Sequence, residues 1–309
     1  MLFLLTALSK MKSVENGGSR IAIIHNGSPL FTGDAGSGPS EIRRYILEQD
    51  LLEAIIALPN DIFYNTGIAT YIWVLSNKKA GTRREGKVQL INASGLYEKR
   101  RKALGNKRND IPQSAIEEIT RLYGDFAESD ISRIYDTADF GYTKITVERP
   151  LRLSVHPERS LPENLFRSAA DRTAAEEAVA HAAETAPLDD WTAFAKATRL
   201  KASVLKKIRP YLTETDETAQ PVPGEADPAR RDTENVPLKE DVDGYFAREV
   251  LPFAPDAWID RKKSVVGYEI PFTRYFYHYE APRPAETIRQ EILALEDDLR
   301  ASLKEVLGQ

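Results

Sequence analysis

The segment from Leu51 to Asn77 reads LLEAIIALPNDIFYNTGIATYIWVLSN and gives the clearest indication of the fold. Residues 51–58 and 69–77 are apolar runs rich in β-branched residues, which is typical of buried strands. The ten residues between them contain Pro and Gly and show no helical pattern. Such a short connection favours an antiparallel pair over a crossover.

Upstream of this pair, predicted helices and strands alternate. The pattern predicts a helix over residues 1–16, a buried strand over the apolar run 21–26, and a helix over 40–50 with Ser40 as its N-cap. A further strand is predicted over 87–94. This alternation indicates an α/β sheet.

Downstream, the character of the sequence changes. Residues 98–110 are highly basic and read as a loop, and 111–126 as a helix with Pro112 in its first turn. Residues 156–212 are rich in Ala, Glu and Lys, which predicts helix. Residues 213–236 hold few large apolar side chains and three prolines, which indicates a disordered or loosely ordered linker.

Composition limits the possible functions. The 309 residues have a net charge of -5, so any nucleic-acid contact must come from a local patch. The absence of cysteine removes disulfides and thiolate sites and is compatible with a cytoplasmic location. The four histidines show no metal-ligand spacing, so no metal site is predicted. The apolar start lacks a basic segment and is about half the ~20 residues of a membrane span, which favours a core-facing helix.

The loop PNDIFYNTGIAT (59–70) carries the aromatic pair Phe63 and Tyr64. An aromatic ring at a sheet edge can stack on a base that has been extruded from duplex DNA. The alternative is that both rings close the end of the core. From the residues alone the two interpretations are equally supported.

The segment KRRKALGNKR (99–108) contains six basic residues in ten. Side chains at this density can contact DNA phosphates. The alternative is a solvated loop. The predicted contacts are Lys99, Arg100, Arg101, Lys102, Lys107 and Arg108.

The Gly-rich segment FTGDAGSG (31–38) follows a strand and precedes a helix, where a phosphate-binding loop would lie. Its spacing is G-x-x-G-x-G, however, and no Lys-Ser/Thr pair follows. A surface loop is therefore favoured, and a nucleotide-binding enzyme with Asp61 as ribose ligand is an alternative.

The closing helix, predicted over 285–307, carries a narrow apolar seam. Such a seam suits one partner helix, and packing on the same chain is the alternative. The predicted subunit interface is Ile288, Ile292, Leu295, Leu299 and Leu303.

With these residues in view, the chain resembles the modification (M) subunit of type I restriction-modification systems, a family of S-adenosylmethionine-dependent DNA adenine-N6 methyltransferases. The resemblance lies in segments of matching order: RIAIIHNGSPLFTGDAGSGPSEIRRYILEQDLLEAIIALPNDIFYNTGIATYIWVLSN (20–77), LGNKRNDI (104–111), DFGYTKITVERPLRL (139–153), YFAREVLPFAPDAWID (245–260) and GYEIPFTRYFYHYEAPRP (267–284).

The resemblance implies a fold, partners and site residues. The fold is the C-terminal part of a Rossmann-like methyltransferase sheet with an antiparallel last strand, followed by a mainly helical region. The implied partners are DNA, a specificity (S) subunit, a second M subunit and restriction (R) subunits, with no membrane. The base-contacting aromatic of the family falls on Phe63, with Tyr64 beside it.

Two sequence motifs of the family are absent from these 309 residues. The cofactor loop D-x-F-x-G-[ST]-G-G and the tetrapeptide N-P-P-[FY] precede the matching segments in the family, and neither occurs in these 309 residues. We therefore expect an N-terminally truncated methylase subunit, or a non-catalytic module that binds the S subunit or DNA. No catalytic residue is assigned.

The resemblance and the composition together suggest four regions. They are the remaining half of the methyltransferase domain (1–97), a basic loop with a helical extension (98–155), a helical segment with a polar linker (156–236) and a C-terminal region whose terminal helix docks subunits (237–309).

We expect this chain by itself neither to bind S-adenosylmethionine nor to methylate DNA, because its sequence lacks both family motifs. Calorimetric titration with the cofactor and methyl incorporation into mixed-sequence DNA test this expectation. Stoichiometric cofactor binding would contradict it.

Overall fold

The computed structural model describes residues 1–279 and 281–307, with side chains as far as Leu303. One compact unit spans Met1–Pro271 and a second begins at Phe272. The helices are α1 (Leu2–Leu8), α2 (Ser28–Phe31), α3 (Gly38–Glu48), α4 (Gln113–Asp125), α5 (Ala169–Thr185), α6 (Trp191–Thr198), α7 (Ala202–Leu212), α8 (Val242–Glu249), α9 (Phe272–Tyr275) and α10 (Ala285–Leu307).

The strands follow the same chain order. They are β1 (Arg20–Asn26), β2 (Leu52–Leu58), β3 (Thr70–Ser76), β4 (Lys87–Asn92), β5 (Glu98–Leu104), β6 (Lys107–Asp110), β7 (Ser132–Asp136), β8 (Gly141–Glu148), β9 (Pro150–Val155), β10 (Thr213–Thr215), β11 (Pro221–Ala226), β12 (Asp232–Pro237), β13 (Trp258–Ile259) and β14 (Val265–Tyr268).

A five-stranded sheet of order β1-β3-β2-β4-β7 forms the first part of the chain. β2 and β3 pair antiparallel, with Ile56 opposite Ile72, which confirms the antiparallel pair predicted from their short connection. Only β2 and β4 run parallel among the neighbours in this sheet. All seven residues of β2 are buried, partly under Leu122 and Ile119 of α4. The fold class is therefore α/β, as predicted, with a mainly antiparallel sheet.

The prediction of a buried strand at 21–26 is right about the strand and wrong about its burial. β1 lies at the edge of the sheet and pairs only with β3 among the described strands. Its residues alternate between exposed and half-buried, and the Ile24 side chain is exposed. An edge strand that lacks a cover on one face exposes every second side chain.

Two helix boundaries also differ from the prediction. The N-terminal helix ends at Leu8, and a separate 3-10 turn spans Val14–Asn16. α3 begins at Gly38 with Ser37 at the N-cap position, so Ser40 is not the cap. The Ser40 hydroxyl is buried and accepts a hydrogen bond from the backbone N–H of Tyr268 (3.0 Å).

The region after residue 97 contains more strands than predicted. Residues 98–110 form the antiparallel hairpin β5–β6 rather than a loop. β8 lies at the centre of a four-stranded sheet with β12, β13 and β14, and β9 pairs with β10 and β11. The expectation of a mainly helical region is therefore only partly right, since helices α5, α6 and α7 pack beside β9 and β11.

The prediction of a disordered or loosely ordered linker at 213–236 is also wrong, because this segment forms strands. These residues include β10, β11 and most of β12, whose backbones pair with β9 and β8. Two of their few large apolar side chains, Val222 and Val236, are buried in separate hydrophobic clusters. Backbone pairing orders this polar segment, which composition alone does not reveal.

The Arg43 side chain on α3 links the C-terminal strand β14 to the loop that precedes α3. Its guanidinium is buried and donates hydrogen bonds to the carbonyl oxygens of Tyr268 (2.5 Å), Thr32 (2.9 Å), Pro29 (3.1 Å) and Gly33 (3.4 Å). β14 is thereby fixed against α3 and the loop that precedes it.

We expect Arg43→Ala to lower the free energy of unfolding by about 3 kcal/mol or more, because several buried carbonyl groups lose their donor. Arg44→Ala is the matched control, since this partly exposed neighbour makes surface ion pairs with Glu41 and Glu48, worth ~0–1 kcal/mol. Urea unfolding followed by tryptophan fluorescence measures both. Equal losses for the two variants would contradict the role given to Arg43.

Candidate nucleic-acid interface

The loop between β2 and β3 has a fixed backbone shape. Asp61 adopts a left-handed conformation (φ 58°), which Asp tolerates better than most residues. A Cβ atom at Gly67 would lie 2.3 Å from Asp61 Oδ1, so the Asp61 carboxylate packs closely against this glycine. The loop therefore brings its two ends close together around the aromatic pair.

The two aromatic residues of this loop have different environments. Phe63 is half-buried and forms an isolated β-bridge with Thr66. Tyr64 is 65% exposed. The predicted alternative, in which both rings close the core, does not hold for Tyr64.

The basic hairpin β5–β6 turns beside Tyr64. Gly105 in the turn has a φ of +62°, and a Cβ there would lie 2.6 Å from the Tyr64 carbonyl oxygen and 3.4 Å from its ring. Glycine is therefore needed for both the turn and the contact. All seven residues of β5 are exposed.

Hydrogen bonds join the hairpin to the aromatic loop. The N–H of Asn106 donates to the Tyr64 carbonyl (2.9 Å), and those of Arg108 (2.9 Å) and Asn109 (3.1 Å) donate to the Asp61 carbonyl. The Asn109 side-chain amide also donates to the carbonyl of Asn60 (2.9 Å). The two segments singled out from sequence thus form one surface.

The six basic side chains of the hairpin are not equally available. Arg100 (2.6 Å) and Lys107 (2.9 Å) form ion pairs with Asp110 and lower the pKa of its carboxyl group. Within the described part of the chain, no ion pair engages the remaining four, which are Lys99, Arg101, Lys102 and Arg108.

An open groove lies beside these contacts, between the aromatic loop and the hairpin. Its volume is about 460 Å³, and it is lined by Asp61, Tyr97, Lys99, Arg100, Ala103, Arg108 and Asn109. Sequence reasoning missed Tyr97 and Asn109. A single tyrosine and a single asparagine in a polar segment carry no periodic signal, and their positions depend on how the hairpin docks.

The Gly-rich segment 31–38 is held by contacts with the rest of the first unit. Arg43 binds the carbonyl groups of Thr32 and Gly33. The Asp34 carboxylate adds a negative charge to the loop, accepts a hydrogen bond from the backbone N–H of Ala35 and pairs with Lys144 (2.6 Å). These contacts give the segment a structural role.

The apolar seam of α10 is exposed over its described length. Ile292, Leu295 and Leu299 are each more than half exposed. No helix among the described residues is long and apolar enough to cross a membrane, and no group of His, Asp and Glu residues there could hold a metal ion.

Sequence comparison finds similar proteins for the first half of the chain. Residues 2–145 match the family described as N-6 DNA Methylase. The chain is 32% identical over 118 residues to the type I restriction enzyme MjaVII methylase subunit of Methanocaldococcus jannaschii, a match that covers 38% of this chain and 19% of that protein. It is 33% identical over 97 residues to the HindI methylase subunit of Haemophilus influenzae, covering 31% and 17%. The chain thus matches less than a fifth of the length of these relatives.

Structural comparison gives partial matches. A type I methyltransferase subunit from Streptococcus thermophilus aligns with 38% of this chain and 23% of its own, at 28% identity and a TM-score of 0.33. A modification subunit of a putative type I restriction enzyme from Vibrio vulnificus aligns with 45% of this chain and 28% of its own, at 16% identity and a TM-score of 0.35.

Proposed function

We propose that this chain, whose residues 2–145 match the N-6 DNA methylase family, forms the DNA-contacting part of a type I methylase subunit. The complete subunit would transfer a methyl group to adenine N6 in DNA. The observation that carries the proposal is the joined surface of the aromatic loop and the basic hairpin.

The chemistry of adenine methylation calls for such a surface. The amine of adenine is out of reach inside a duplex, so the base must leave the stack and regain part of the lost stacking energy elsewhere. Phe63 and Tyr64 offer aromatic faces for this purpose. We assign the stacking role first to Phe63, on which the resemblance places the family's base-contacting aromatic, because the Tyr64 ring and carbonyl lie against Gly105.

The hairpin supplies the positive charge that the chain as a whole lacks. With a net charge of -5, attraction to DNA has to be local. Four basic side chains of the hairpin make no ion pair in the described structure, and we propose that they contact DNA phosphates.

Members of this family use S-adenosylmethionine, and the family motifs that would hold it do not occur in these 309 residues. We therefore derive no catalytic step from this chain and assign no catalytic residue. A non-catalytic module that binds DNA or an S subunit remains the alternative, and methylation by a reconstituted complex separates the two. The contacts of Arg43 and Lys144 disfavour a nucleotide-binding enzyme built on residues 31–38.

We further propose a cytoplasmic complex in which this chain meets an S subunit, a second M subunit and R subunits. The exposed seam of α10 is the proposed docking element. Most of the stability of a helix in a protein comes from packing of its apolar face, so a partner that covers the apolar side chains of the 23-residue α10 would stabilise it.

In a methylase complex that contains this chain, Phe63→Ala should lower the methylation rate by about 5- to 150-fold, which corresponds to ~1–3 kcal/mol for a lost base–aromatic contact. The control is Tyr45→Ala, which removes an exposed aromatic ring from α3. If Phe63→Ala leaves the rate unchanged, Tyr64→Ala tests the second ring. Unchanged rates in both variants would overturn the stacking proposal.

Leu295→Asp combined with Leu299→Asp should abolish co-purification with the S subunit and leave the first unit folded. Each buried Leu side chain contributes roughly 1.5–3 kcal/mol, which a carboxylate at the same position removes. Gln290→Asp with Ala294→Asp adds the same charge to the opposite side of α10 and should preserve the complex. A complex that survives the first double change would show that the seam does not dock this partner.

A further inference from the structure

The groove between the aromatic loop and the hairpin combines three kinds of chemistry. Lys99 and Arg108 contribute cations, Tyr97 contributes a partly exposed ring, and Asp61 contributes a carboxylate. Asn109 forms part of the groove wall. These groups come from the loop, from both strands of the hairpin and from Tyr97 just before β5, so the groove forms where the hairpin joins the loop.

Several charged side chains that line the groove are available to bind a ligand. Arg100 also lines it but is engaged by Asp110. Lys99 and Arg108 make no ion pair, and the Asp61 carboxylate has no hydrogen-bond partner, within the residues that the structure describes. The groove therefore offers two available cations and one available acceptor.

This set of groups selects among possible ligands. Inorganic phosphate would use the cations, but the Asp61 carboxylate would repel it. Duplex DNA would present phosphates, but its bases are stacked and cannot reach Tyr97. An unpaired nucleotide carries a phosphate for Lys99 and Arg108, a ring for Tyr97 and, in adenine, cytosine or guanine, an amine that can donate to Asp61.

We propose that this groove binds one unpaired nucleotide of a DNA strand, at a position separate from the base that stacks on Phe63. The proposal rests on the proposed function, because it requires DNA to reach this surface. A second subsite for an unpaired nucleotide would hold the strand open beside the extruded base.

The scaffold allows this proposal to be tested with side-chain changes. The hairpin is anchored mainly through backbone N–H groups, which substitutions of exposed side chains leave in place. Lys99 and Arg108 line the groove, whereas Arg101 and Lys102 are exposed on the same hairpin and do not. The two pairs carry the same charge, so they make matched variants.

The experiment measures binding of the 309-residue chain to a fluorescent oligonucleotide of about 12 nucleotides, as a single strand and as a duplex. The double substitution Lys99→Ala with Arg108→Ala should weaken binding of the single strand. The factor by which it does so should be about tenfold or more above the factor for the duplex. The slope of log K against log salt for the single strand should fall by about 0.7 for a lost phosphate contact. Arg101→Ala with Lys102→Ala should weaken both forms in equal proportion.

Tyr97 gives an independent readout. Tyr97→Leu should weaken single-strand binding by about fivefold or more without changing the salt slope, because stacking is lost and no charge changes. Tyr97→Phe keeps the ring and should bind as the unaltered chain does.

The outcomes separate the two proposals. If both charge variants weaken single strand and duplex alike, binding is general attraction to phosphates, which overturns the groove proposal and leaves the proposed function standing. If the unaltered chain binds neither form, both proposals fail.

Discussion

The carbonyl oxygens of Asp61 and Tyr64 hold the basic hairpin beside the aromatic loop, and the proposed DNA surface depends on this contact. Asp61 accepts hydrogen bonds from two successive N–H groups, and the left-handed conformation of its backbone belongs to the same tight loop. Without these bonds the hairpin would be a pair of exposed strands with no neighbour, which is marginally stable in water. Because backbone groups hold the hairpin, its solvent-exposed side chains are available to a ligand.

Hydrogen bonds to carbonyl oxygens also fix the position of β14. Arg43 gathers carbonyl groups from the Gly-rich segment and from Tyr268, so that a segment more than two hundred residues later in the chain lies against α3. A buried guanidinium is stable only where acceptors surround it. In this fold the loop that resembles a phosphate cradle in sequence therefore provides acceptors for a protein cation.

Strands with buried apolar side chains could be predicted from sequence, and strands defined by backbone pairing could not. The runs that became β2 and β3 are continuous and apolar, so their existence and antiparallel pairing follow from residue type and loop length. β5 has no buried residue, and β11 and β12 have one each, Val222 and Val236. The residues proposed to contact DNA were found as clusters of one residue type, whereas Tyr97 and Asn109 acquire their positions only when the hairpin docks.

Hydrogen–deuterium exchange of the chain with and without DNA reports which backbone segments a bound strand protects, and therefore whether the aromatic loop and the hairpin form the DNA surface. We expect slower exchange in residues 60–68 and 98–110 when DNA is bound, with little change in α5, α6 and α7. Bound DNA that leaves both segments unchanged, and protects another part of the chain instead, would contradict this expectation.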